Sequence, residues 1–85
     1  MNVTLALFGA FRDLHSAPAL QLNVDGSTIA DLRQALIARL QDEGRGDRCS
    51  LVSVSAFASE QSILRDGDSI PGDGQLAILP PVSGG

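Results

Sequence analysis

Residues 28–44, TIADLRQALIARLQDEG, carry the signals of one amphipathic α-helix, around which the rest of the fold can be predicted. Thr28 is a good N-cap residue, and Asp31, three positions later, completes an aspartate version of the capping box. Gly44 suits the left-handed conformation that often follows a last helical turn. Apolar side chains recur at spacings of three and four and form one stripe that needs a surface to pack on: Ile29, Leu32, Leu36 and Leu40.

The segments on either side of this helix are rich in β-favouring residues, and most of them alternate apolar and polar positions. The connection 9–19 has too little periodicity for a helix, so the first two strands are expected to form a hairpin with a long loop. The element order is then β-β-α-β-(β)-β, an α+β roll in which a mixed sheet is crossed by one main helix and its first and last strands pair in the centre. The predicted strands are residues 3–8 (VTLALF), 20–24 (LQLNV), 51–57 (LVSVSAF), a short one around 62–64, and 75–79 (QLAIL).

The composition is that of one small domain. The chain has 85 residues, of which 44% are hydrophobic and 19% charged, so it can build a core. It contains no run of about 18 apolar residues, as a membrane-spanning helix needs, and the N-terminus lacks the basic region of a signal peptide. We therefore expect a cytoplasmic protein without a membrane partner.

The charge and the rare residue types narrow the partners further. The formal net charge is −4, all six basic residues are Arg, and there is no Trp or Tyr to stack on bases. These features exclude a typical nucleic-acid binder and favour a protein partner with a basic surface. A single cysteine, Cys49, and a single histidine, His15, offer neither an internal disulfide nor a metal-ligand cluster. We interpret Cys49 as structural or incidental and His15 as a surface loop residue, and we expect no bound metal.

The C-terminal stretch 80–85, PPVSGG, is distinct from the predicted domain 1–79. Pro80 and Pro81 restrict the backbone and favour an extended exit from the last strand. Gly84 and Gly85 leave the terminal carboxylate without steric protection. Six extended residues reach roughly 20 Å, so the tail is expected to carry a carboxylate into a narrow channel of a partner.

Three segments of the chain resemble MoaD, the sulfur-carrier family within the wider MoaD/ThiS ubiquitin-like group. Residues 76–85, LAILPPVSGG, are similar to the family's last strand and Pro-Pro-Val-Ser/Thr-Gly-Gly ending. Residues 7–14, LFGAFRDL, are similar to its first strand and the Arg-Asp/Glu-Leu that follows, and residues 28–33, TIADLR, to its helix start. The resemblance covers essentially the whole chain and implies a β-grasp fold.

The resemblance also implies a chemistry centred on Gly85. A separate, MoeB-like activating enzyme would use ATP to adenylate the Gly85 carboxylate, and a sulfur donor would convert it to a thiocarboxylate. Within a MoaE-like large subunit, the sulfur would pass to cyclic pyranopterin monophosphate and form the molybdopterin dithiolene. The assembly would be a heterotetramer. The chain itself would bind no cofactor and act as a non-catalytic co-substrate, with Gly84 next to the reacting carbon.

The predicted pairing of the first and last strands also suggests where partners dock. Alternation leaves Phe8 and Leu79 on the sheet face that the helix does not cover, close to the tail. Alternatively, the Phe8 side chain packs under the 9–19 loop and forms a small separate core. Arg12 matches a family arginine, so the resemblance makes it a candidate contact. The remaining expected partner-binding residues are those of the tail: Pro80, Pro81, Val82 and Ser83.

Three other functions stay open at this point. A ThiS-like sulfur carrier for thiamin or cysteine synthesis has the same Gly-Gly ending, although the sequence PPVS before it favours MoaD. A ubiquitin-like protein modifier would attach the same carboxylate to target lysines. An interaction module with an inert tail would use neither chemistry.

Overall fold

The computed structural model describes residues 1–14 and 19–81, which form one five-stranded sheet packed against a main helix. The elements in chain order are β1 (Asn2–Leu7), a first 3₁₀ helix (Gly9–Leu14), β2 (Ala19–Asn23), α1 (Ile29–Asp42), a second 3₁₀ helix (Gly46–Arg48), α2 (Cys49–Val54), β3 (Ala56–Ala58), β4 (Ile63–Leu64) and β5 (Gln75–Leu79). Within the described ranges, no helix is long and apolar enough to cross a membrane.

The sheet has the strand order β2-β1-β5-β3-β4. The central strands β1 and β5 are parallel, with Leu5 opposite Leu76, and every other pair is antiparallel. The predicted α+β roll and its central pairing of first and last strands are therefore confirmed. Because parallel neighbours end at the same edge of a sheet, the residues that follow β1 and β5 lie side by side.

The hydrophobic core lies between the sheet and α1. The four residues of the predicted helical stripe are all buried, as are Leu5 and Ile78 at the centre of the sheet. Each fully buried Leu or Ile contributes about 1.5–3 kcal/mol relative to an exposed one. Val52 and Phe57 close the core on the β3 side.

The start of α1 follows the predicted capping box. The Asp31 amide donates to the Thr28 hydroxyl oxygen at 3.3 Å, and the Thr28 amide donates to the Asp31 carboxylate at 3.2 Å. Hydrogen bonds from the backbone and side chain of Thr28 hold the pKa of Asp31 below its ordinary value. Gly44 has φ +74° just beyond the helix, which confirms the predicted left-handed residue.

The predicted strand 51–57 is wrong over most of its length. Residues up to Val54 belong to α2, and only Ala56–Ala58 form β3. The physical reason lies 19 residues away in sequence, in Arg33, whose Nη1 donates to the carbonyls of Val52 and Ser55, at 2.7 Å each. Both carbonyls lie at the end of α2, where the Val52 carbonyl also accepts the Ser55 amide at 3.2 Å, so the guanidinium caps the helix.

Arg33 also fixes the loop that leads to β5. Its Nη2 donates to the Asp66 carboxylate at 2.7 Å, and its guanidinium carbon lies 5.0 Å from the centre of the Phe57 ring. The side chain is only 13% exposed, so these contacts are partly shielded from water. One arginine thus joins α1, α2, β3 and the 66–70 loop.

The prediction that the 9–19 connection contains no helix is also wrong. Gly9–Leu14 forms a 3₁₀ helix, and its Phe11 is fully buried in the core. A helix of six residues is too short to show apolar periodicity in the sequence. The hairpin itself is confirmed by the antiparallel β1–β2 pairing, while His15 lies outside the described residues.

Candidate functional site

The chain leaves the sheet beside the end of β1. β5 ends at Leu79, and Pro80 follows it next to Gly9, which follows Phe8 at the end of β1. Gly9 has φ +57°, and a Cβ at this position would lie 2.8 Å from Pro80 Cγ. Gly9 is therefore required both by its backbone conformation and by the close approach of the proline. Pro80 is half-buried and Pro81 is exposed.

The sheet face opposite α1 has an apolar row through its middle. In register across all five strands it carries one row of side chains, four alanines and one isoleucine: Ala19, Ala6, Ala77, Ala58 and Ile63. We call this surface the open face. Alanines rise little above the backbone, so the face can be approached closely by a partner.

Two large apolar side chains stand above this floor. Phe8 is 48% exposed near the tail exit, and Ile63 is 66% exposed on β4. A shallow cavity of about 210 Å³ is lined by Phe8, by the alanines 6, 58 and 77, and by Glu60 and Gln75 at its border. Exposed aromatic and branched side chains around a shallow apolar hollow are typical of a protein-docking surface.

The structure places the predicted docking residues Phe8 and Leu79 at the tail-exit end of the sheet, with Leu79 half-buried opposite Ala56. Phe8 is exposed and does not take the alternative, buried place, whereas Phe11 belongs to the buried core. Arg12 is exposed on the first 3₁₀ helix, and its partner contact stays a prediction. The predicted tail residues Val82, Ser83, Gly84 and Gly85 lie outside the described residues.

Sequence reasoning missed Ile63 and Val54. Ile63 belongs to a two-residue strand, and only its pairing with Ala58 shows which face it occupies. Val54 is 64% exposed at the end of α2 and precedes β3 by two residues, so it lies at the same sheet edge as the tail exit. No local pattern distinguishes these positions: Val54 lies within the predicted strand 51–57, and the strand at Ile63 is too short to show alternation.

The remaining candidate chemistry is weak. Cys49 is half-buried at the start of α2, with its Sγ 3.7 Å from the Ile37 carbonyl oxygen. Within residues 1–14 and 19–81, no three His, Cys, Asp or Glu side chains come together as metal ligands would. The candidate functional features considered first are the open face and the adjoining tail exit.

This chain is similar to known proteins over nearly its full length. A family model described as the ThiS family matches residues 5–85. The molybdopterin synthase sulfur carrier subunit of Synechococcus elongatus is 36% identical over 87 residues, covering 99% of this chain and 97% of the relative. The subunit of the same name from Drosophila ananassae is 28% identical over 89 residues, covering 100% and 92%. The crystal structure of SAMP1 from Haloferax volcanii matches with a TM-score of 0.66 at 25% identity, over the whole of both chains. The similarity thus spans the sheet, the helix and the residues after β5.

Proposed function

The chain belongs to the ThiS family, and from this membership we propose that it carries sulfur as a thiocarboxylate on Gly85. The terminal carboxylate is ionised at neutral pH. In the first step its oxygen attacks the α-phosphorus of ATP in an activating enzyme, which releases pyrophosphate and forms an acyl-adenylate. In the second step hydrosulfide displaces AMP, which leaves the thiocarboxylate and a proton.

We further propose that the acceptor is cyclic pyranopterin monophosphate, and that two transfers form the molybdopterin dithiolene in a large partner subunit. The names of the Synechococcus and Drosophila relatives support this acceptor. The ending PPVSGG supports it as well. The catalytic groups belong to the partners, and this chain is consumed and recharged as a co-substrate.

One observation carries the proposal: the backbone leaves β5 directly beside an exposed apolar face. Pro80 packs against Gly9, and the next residue, Pro81, is exposed. A partner that covers Phe8 and the open face is therefore in place to receive the residues after Pro81. The same face can serve the activating enzyme and the large subunit in turn, because each needs the same carboxylate.

The decisive experiment is the intact mass of the chain after incubation with ATP, an activating enzyme and sulfide. Replacement of one oxygen by sulfur adds about 16 Da, which we expect on the C-terminal peptide only. A variant that lacks Gly85 is the matched control and should gain nothing. An unchanged mass in the complete chain would refute the carrier function.

The acceptor is tested separately with the charged carrier. We expect the thiocarboxylated chain to lose its sulfur to cyclic pyranopterin monophosphate in the presence of a large subunit. A carrier that charges normally but never discharges to the pterin would serve another pathway, such as thiamin or cysteine synthesis. Isopeptide adducts on lysines of other proteins would instead identify a protein modifier.

A further inference from the structure

A second surface lies on the other side of the sheet from the open face. A groove of about 570 Å³ runs between α1 and the outer edge of β2, with Leu22, Ala35 and Ala38 among its lining residues. It shares no residue with the cavity of the open face. Since Asn23 pairs with Asn2 at the start of β1, the groove lies at the end of the sheet opposite the tail exit. The proposed sulfur chemistry does not use it.

The edge of β2 is arranged to accept another strand. Met1 and Val24 exchange backbone hydrogen bonds, so antiparallel alternation turns the N–H and C=O groups of Gln21 and Asn23 away from β1. In the described part of the chain, β2 has β1 as its one neighbour in the sheet. These outward groups therefore form an open hydrogen-bonding edge beside the groove.

Arg39 occupies the position of an incoming donor. Its Nη1 donates to the outward carbonyl of Gln21 at 3.4 Å, at the limit of a hydrogen bond. The same guanidinium is held by Glu43 at 2.8 Å through Nε. Because the contact with Gln21 is long and exposed, the N–H of an added strand can replace it at little cost.

The charged side chains around the groove indicate which kind of partner it can bind. Asp25, Asp31 and Asp42 are exposed along it, whereas its cation, Arg39, is already paired with Glu43. A second copy of this chain would bring the same carboxylates against each other, which is unfavourable. A basic segment would meet opposite charge at each of these three aspartates.

We propose that the groove between β2 and α1 binds an extended, basic segment of a partner protein, which adds to the sheet as a sixth strand. The five residues of β2 offer about 17 Å of edge. Backbone bonds to Gln21 and Asn23 supply register, and apolar side chains of the segment cover Ala35 and Ala38. Basic side chains contact the aspartates, so binding weakens with salt.

The probe is a synthetic peptide of alternating valine and arginine, titrated into the ¹⁵N-labelled full chain. We expect the amide signals of Gln21 and Asn23 to shift and their hydrogen exchange to slow, with further shifts at Ala35 and Ala38. A matched peptide of alternating valine and glutamate should bind far more weakly. Equal binding of both peptides, or shifts centred on Ala77 of the open face, would overturn the proposal. A dimer paired through β2 would equally overturn it, in favour of a second copy.

Two variants test separately the ion pairs with the aspartates and the backbone hydrogen bonds of β2. Asp42→Lys should weaken binding about two- to fivefold, as expected for one exposed ion pair, whereas the same change at Asp47, which does not line the groove, should leave binding unchanged. Gln21→Pro removes an outward N–H that the fold does not use and should weaken binding about tenfold. Circular dichroism of each variant checks that the fold persists. Unchanged affinity in both groove variants would contradict strand addition.

Discussion

The contrast between Phe8 and Phe11 gives the sharpest test of the docking face. Phe8 is 48% exposed, whereas Phe11, three residues later, is fully buried. About half of the roughly 200 Å² of a phenylalanine, or ~100 Å², is thus available at Phe8 for a partner. At about 25 cal/mol per Å², its burial is worth ~2.5 kcal/mol, or ~60-fold in Kd.

We therefore expect Phe8→Ala to weaken binding of the large subunit by up to about 60-fold while lowering the free energy of unfolding by only about 1 kcal/mol. Phe11→Ala, the matched control, should cost about 3–5 kcal/mol of stability because it leaves a cavity in the core. Calorimetric titration measures the first quantity and urea denaturation the second. The docking face would be refuted if Phe8→Ala bound normally, or if it unfolded as easily as Phe11→Ala.

Three further predictions concern the core, the tail and the helix cap. Arg33→Lys should lower the free energy of unfolding by about 2–3 kcal/mol, because lysine cannot reach the carbonyls of α2 and Asp66 together. The control Arg39→Lys should change the free energy of unfolding by less than about 1 kcal/mol. Equal effects of the two substitutions in urea denaturation would contradict the role of Arg33. Gly84→Val should slow adenylation or sulfur transfer about 100-fold or more, since a side chain next to the reacting carbon misplaces it; near-normal turnover in the mass assay would exclude a narrow channel. The lowered pKa of Asp31 means that its carboxylate stabilises the fold above pH 3.8 and that this contribution is lost as the pH falls through the lower pKa of the folded state. The stability gap between the wild type and Asp31→Asn should accordingly narrow in that acidic range, and a gap that is constant with pH would contradict the cap.

The elements that could be predicted are those whose signals are local. The capping box and the stripe that begins at Ile29 lie within one helix, so both patterns can be recognised in a short stretch of sequence. The strand 75–79 is predicted with its exact bounds because its apolar residues lie between the turn sequence PGDG and two prolines. The tail exit beside Phe8 follows from the parallel pairing of β1 and β5, which the element order already favours.

The segment 51–57 could not be predicted, because its apolar and β-branched residues suit a strand or a short helix equally well. Arg33 decides in favour of the helix by capping its carbonyls from a distant part of the chain. Ile63 illustrates the same limit, since a two-residue strand has no periodicity and takes its face from Ala58 on the neighbouring strand.

The main helix, the central strands and the PPVSGG ending, which indicates sulfur-carrier chemistry, can thus be identified before folding is considered, since each depends on residues close together in the chain. Three other features become visible only in the folded protein: the α2 helix, the position of Ile63 on the open face and the groove beside β2. These features depend on hydrogen bonds and strand pairings between residues that are distant in sequence. Such contacts stabilise the chain only once the sheet and the helix have packed together.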